Sequence, residues 1–132
     1  MKLPVTAVRA THRLDVVRVS AGPERWGEPM TGEVTARWEG AEASGALTLI
    51  GKLPTAQQTL CGFAPGWGVR AYGDDQAAPP FFEAAFCYGC DEAWLWGTEV
   101  PEGLGRQRFD SGSANAQYLL LRFHEAAGMI GA

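Results

Sequence analysis

Cys87-Tyr88-Gly89-Cys90 sets two thiols three residues apart. Thiols at this spacing can share a metal ion or form a disulfide. A redox pair of this kind uses a helix N-terminus to stabilise its thiolate. The residues that follow here, AWLWG, have the look of a strand, so that support is missing. A structural zinc site needs four ligands, normally from two such pairs. Only Cys61, His124 and His12 remain to complete a set with Cys87 and Cys90, and Cys61 has no second cysteine near it. Buried structural thiols, reduced and without metal, are therefore the expectation.

Other reactive side chains form no pattern that demands catalysis. Ser111, His124 and Asp110 can be named as a nucleophile, a base and an acid, but no nucleophile-elbow motif supports them. There is no phosphate-binding glycine loop of the Walker or dinucleotide type. Asp74-Asp75 and Asp91-Glu92 fall in segments that read as turns, where carboxylates serve turn geometry and solvation. Aromatic residues are more informative. Trp94 and Trp96 share one face of a strand and read as core. Trp26 and Trp67 read as loop residues, where packing is a weaker explanation, and they are the leading candidates for contact with a partner. With Asp74 and Asp75 they make up the expected partner-binding set.

The elements that must position these groups are short. Residues 3–10 and 13–19 are rich in β-branched side chains and read as strands. Residues 20–32 carry three Gly and two Pro and read as a loop. In 33–39, Val34, Ala36 and Trp38 alternate with polar residues, the pattern of a half-buried strand. Residues 41–53 fit two readings, a strand over LTLI or a short helix ending near Gly51 with Pro54 just beyond, and the helical spacing of Ala43, Ala46, Leu47 and Ile50 favours the helix. A strand over 68–72 and an exposed turn over 73–80 lead to a hairpin of 81–88 and 92–98, reversing at Gly89 and Asp91. The clearest signal comes last. Ala116, Leu119, Leu120, Phe123 and Ala127 fall on one face of an amphipathic helix, which Asp110, Ser111 or Ser113 can cap and Gly128 can end. The reading is one α+β domain over residues 1–132. It has an antiparallel sheet of about five strands with the C-terminal helix packed on one face.

Composition narrows the function. The chain has 132 residues, 46% apolar and 20% charged, ordinary for a protein with one real core. Net charge is −4, but residues 1–66 carry +1 and residues 67–132 carry −5. An acidic second half repels phosphates and disfavours nucleic acid, whereas it complements a basic protein partner. No stretch approaches the ~20 apolar residues of a membrane span. Arg9, His12, Arg13 and Asp15 interrupt any signal-like apolar run, and three cysteines do not make a disulfide scaffold. A cytoplasmic, reducing setting is expected, with no cofactor.

The segments CGFAPGWGVRAY (61–72), FCYGC (86–90), FDSGS (109–113) and AQYLLLRF (116–123) together resemble a pattern in small, functionally uncharacterised bacterial proteins. That pattern has a lone Cys before a Pro-containing turn, a CFxC-like hairpin and a Leu-rich terminal helix. Tyr88 departs from it in detail while keeping an aromatic. The resemblance spans about residues 60–125, and it implies a bacterial source and an α+β fold but no activity. By analogy, small proteins of this kind often accompany secreted toxins as immunity partners. The expected function is thus non-catalytic binding of a basic protein such as a toxin domain. The alternative is a small thiol or zinc protein using Cys61, Cys87 and Cys90.

Overall fold

The computed structural model describes residues 1–21, 28–57, 62–75 and 77–129. Among these lie α1 (Val5–Ala10), β1 (Arg13–Ala21), β2 (Thr31–Glu39), α2 (Ala41–Gly51), β3 (Trp67–Tyr72), β4 (Phe82–Cys87), β5 (Glu92–Trp96), β6 (Arg106–Arg108) and α3 (Ala114–Ala126). The strands form one sheet in the order β2-β1-β3-β4-β5-β6, with every neighbouring pair antiparallel. The α+β reading holds, with six strands where about five were expected. No described helix is long and apolar enough to cross a membrane.

Alternation along the strands decides which residues meet the helices. Leu14, Val16, Val69, Ala71, Phe82, Ala84, Phe86, Ala93 and Leu95 project to one side, and they share a buried cluster with Ala43, Ala46, Leu47 and Ile50 of α2 and Ala116, Leu119 and Phe123 of α3. Phe123 is fully buried, with its ring 6.1 Å from Trp38, 5.6 Å from Trp67 and 5.8 Å from Phe86. Burying one such side chain contributes about 1.5–3 kcal/mol. Leu120 and Ala127, expected on the same face, are only partly buried against it. Ser113 caps α3 by accepting from the Ala116 amide at 3.2 Å, and Gly128 ends it in the left-handed region with φ +68°.

The opposite side of the sheet is also covered. β4 and β5 are buried almost residue by residue rather than alternately, as strands with both faces packed must be. Trp94 and Trp96 share that second side with Val17, Met30 and Ala85, and Phe63 stacks on Trp94 at 4.0 Å. The two tryptophans are therefore core, as expected, but under connecting segments rather than under a helix. Gly68 is part of the same arrangement: a Cβ there would collide with the Met30 sulfur. Arg70 ties the layers together, donating to Glu83 at 2.8 Å and to the Met30 carbonyl at 2.7 Å. Beside it, buried Asp15 pairs with Arg13 at 3.0 Å and Arg37 at 3.6 Å.

Two elements differ from expectation. Residues 3–10 do not form a strand: Val5–Ala10 is a helix of six residues. The Val8 amide donates to the Pro4 carbonyl, the Thr11 hydroxyl donates to the Ala7 carbonyl, and Ala7 is the residue it buries. In β2 a bulge between the partners of Val16 and Val17 breaks the alternation, so Val34 does not join Ala36 and Trp38 in the core and is 41% exposed.

Candidate contact surface

The antiparallel order brings four chain segments to one end of the sheet. The His12 amide donates to the Tyr72 carbonyl at 2.8 Å, and the Gly40 amide donates to the His12 carbonyl at 3.2 Å. The Phe81 amide donates to Ala71, and the Glu99 amide to Phe81. The start of β1, the end of β2, the β3–β4 loop and the β5–β6 loop are thereby fastened to one another. Exposed on these segments are the carboxylates of Glu39, Asp74, Asp75, Glu99 and Glu102, with His12 and Arg13 as basic groups beside Glu39 and Asp74.

Asp74 and Asp75 have different tasks. The side chain of Asp74 is 81% exposed, and its Oδ1 lies 2.6 Å from Nε2 of His12, itself 64% exposed. An exposed pair of this kind contributes at most about 1 kcal/mol, so it orients the two groups more than it holds the fold. Asp75 turns its carboxyl back on its own loop, where Oδ1 accepts from the Ala77 amide at 2.9 Å. That bond mimics a backbone turn and explains an Asp at this position. Around them lie two shallow, open hollows of about 290 and 370 Å³, which share His12, Gly73 and Asp74. Glu39 and Arg13 border the second, and Phe81 the first.

The other residues singled out in the sequence lie elsewhere. Trp67 is not on a loop: it opens β3, is 8% exposed and stacks on Phe123, with the His124 ring 5.7 Å away. Its first duty is to the core, and it offers a partner little surface. Trp26 and Cys61 lie outside the described residues. Cys87 is a free, buried thiol, whereas Cys90 is disulfide-bonded, which corrects the expectation of a wholly reduced CxxC. The Cys90 sulfur lies 3.0 Å from the Gly62 carbonyl oxygen, so a segment 28 residues away reaches this hairpin. Spacing along the chain draws attention to the near neighbour Cys87 and says nothing of a remote one.

A disulfide sulfur is not a thiolate ligand, and no group of three His, Cys, Asp or Glu side chains among the described residues is arranged to hold a metal ion. Asp110 and Ser111 shape the entry to α3. Asp110 accepts from the Gly112 amide at 3.0 Å, and the Ser111 amide donates to Asp91 at 3.1 Å. Tyr88, beside Cys87, donates its hydroxyl to the Ala116 carbonyl at 2.6 Å, and burial pushes its phenol well above the usual range. The nearness of Glu39 and His12 to Asp74 is not legible in the sequence, because pairing between strands, not spacing, brings them together. No protein-family model, curated protein or solved structure matches the chain.

Proposed function

We propose that this chain is a non-catalytic protein-binding module, an immunity-type inhibitor of bacterial origin that docks on a basic toxin domain. The observation that carries the reading is the gathering of exposed carboxylates, Asp74 foremost, at one end of the sheet over open hollows. Such a surface attracts a basic partner over distances of about a Debye length, ~8–10 Å at ordinary salt, and so speeds encounter. The fastening of four segments at this end keeps the carboxylates in place before binding, which lowers the entropy lost on docking. Capture with the immobilised chain, followed by binding kinetics of the identified partner against Asp74→Lys, tests the proposal. A partner with a neutral or acidic contact face would refute it.

The proposed place of action is the cytoplasm, where glutathione would keep the Cys90 bond open. Recovery of that bond intact from cells lysed into an alkylating agent would instead assign the protein to an oxidising compartment.

A further inference from the structure

At the end of the sheet opposite the carboxylates, where β3 begins and the β4–β5 hairpin turns, residues 62–66 form a strap across the side that faces away from the helices. At one end of the strap the Gly62 carbonyl oxygen lies 3.0 Å from the sulfur of disulfide-bonded Cys90. In its middle Phe63 stacks on Trp94, with ring centroids 4.0 Å apart and the planes within 6° of parallel. At its other end the Gly66 amide donates to the Phe86 carbonyl at 3.3 Å, and the Gly66 carbonyl accepts from the Val19 amide at 2.9 Å. The chain has three cysteines; Cys87 is a free thiol, and Cys61 precedes Gly62 in the sequence.

Beneath the strap lies a small cluster of Val17, Met30, Ala85, Trp94 and Trp96, with Phe63 packed against it. Cys87 belongs to the same side of the sheet. It stands two residues after Ala85 and pairs across with Glu92, two residues before Trp94. Its exposure is 2% and that of Trp94 is 6%. Trp94 has supports besides Phe63, because its indole N–H donates to Glu92 at 2.8 Å and the Arg106 guanidinium lies 4.8 Å from its ring centroid.

We propose that the Cys90 disulfide is a redox-operated latch on this strap. Intact, it holds Phe63 over Trp94 and shields the Cys87 thiol. Reduced, it lets residues 62–65 lift and opens the face shared by Trp94 and Cys87. The reductant is a dithiol. Its first thiolate attacks the S–S bond and forms a mixed disulfide, and its second displaces the remaining protein sulfur, so that two protein thiols form and the reductant leaves as a disulfide. The larger cluster around Phe123 is on the helix side of the sheet, so the opening is local. The latch works without the acidic end, since the strap precedes β3 and Asp74 follows it.

The test is the rate at which iodoacetamide modifies Cys87 in the native full chain, followed by mass spectrometry. One sample is fully oxidised in air, and the other is reduced with dithiothreitol that is removed before labelling. Reduction should speed the reaction by about tenfold or more, as release of a cross-link does for local opening. Cys90→Ser should react at the fast rate under both conditions. Phe63→Ala keeps the disulfide but loses the cover, and it should react faster than the oxidised parent. If Cys90→Ser does not fold, the two states of the parent decide the matter. Amide exchange on the same samples should quicken over 62–65 and 92–96 and stay slow in α3. Equal alkylation rates in the two states, exchange quickened as much in α3, or a Cys90 bond joining two chains would overturn the proposal.

Discussion

Trp67→Ala should unfold a large share of the molecule's stability rather than merely alter a surface. The indole is 8% exposed, stacks on fully buried Phe123 at 5.6 Å, and has the Arg18 guanidinium 5.9 Å from its centroid. Truncation removes the burial of the ring, strips Phe123 of a stacking partner and leaves a cavity between β3 and α3. Core Trp→Ala changes of this type cost about 3–5 kcal/mol. A domain of ordinary stability has only about 5–15 kcal/mol in total. Urea unfolding followed by far-UV circular dichroism provides the assay. With a slope near 2 kcal/mol/M, the midpoint should fall by about 2 M. A midpoint equal to that of the parent, with an unchanged slope, would refute the placement of Trp67 in the core and restore it as a contact residue.

Three further outcomes follow from the packing. Tyr88→Phe should flatten the alkaline limb of the stability curve. Because burial raises the folded-state phenol above its usual value of about 10, the unfolded chain loses that proton first, so the tyrosine's contribution is whole below about pH 10 and is lost as pH climbs above it. Urea midpoints of the parent and Tyr88→Phe between pH 8 and 11 check this, and parallel curves would contradict it. Gly68→Ala should cost about 1–3 kcal/mol, since the new methyl meets the Met30 sulfur and the Ala84 carbonyl oxygen, 2.7 Å away; a thermal melt unchanged by the substitution would contradict it. Peptide mapping of purified protein allowed to oxidise fully in air before alkylation should find Cys87 alkylated and Cys90 disulfide-linked, with Cys61 as the third cysteine of the chain; three alkylated thiols, or a Cys87–Cys90 link, would contradict it.

Where the sequence was readable, local physics and tertiary packing agreed. The spacing of Ala116, Leu119 and Phe123 marks α3 because each of the three is buried in the core. The hairpin of β4 and β5 is readable because Gly89 and Asp91 permit the reversal, with Asp91 taking φ +52°. Where reading failed, a remote contact decided the outcome. The β-branched run at 3–10 favours a strand locally, yet a short helix buries Ala7 there. Arg106-Gln107-Arg108 shows no apolar alternation, and β6 exists through its pairing with β5. Trp67 reads as a loop residue because Pro65-Gly66 precedes it, whereas the turn ends one residue earlier and the indole opens the strand. Of the acidic end, only Asp74 and Asp75 were readable as exposed, since a turn can be recognised locally and the proximity of Glu39 and His12 cannot.

The association rate of the captured partner with Asp74→Lys, measured across a series of salt concentrations, tests the central claim of an acidic docking end most directly. Asp74 has no described partner except exposed His12, so the variant should fold as the parent does. Loss of steering should slow association by about three- to tenfold at low salt and flatten its salt dependence, with dissociation little changed. An association rate and a salt slope identical to those of the parent, for a partner bound by both, would contradict the account.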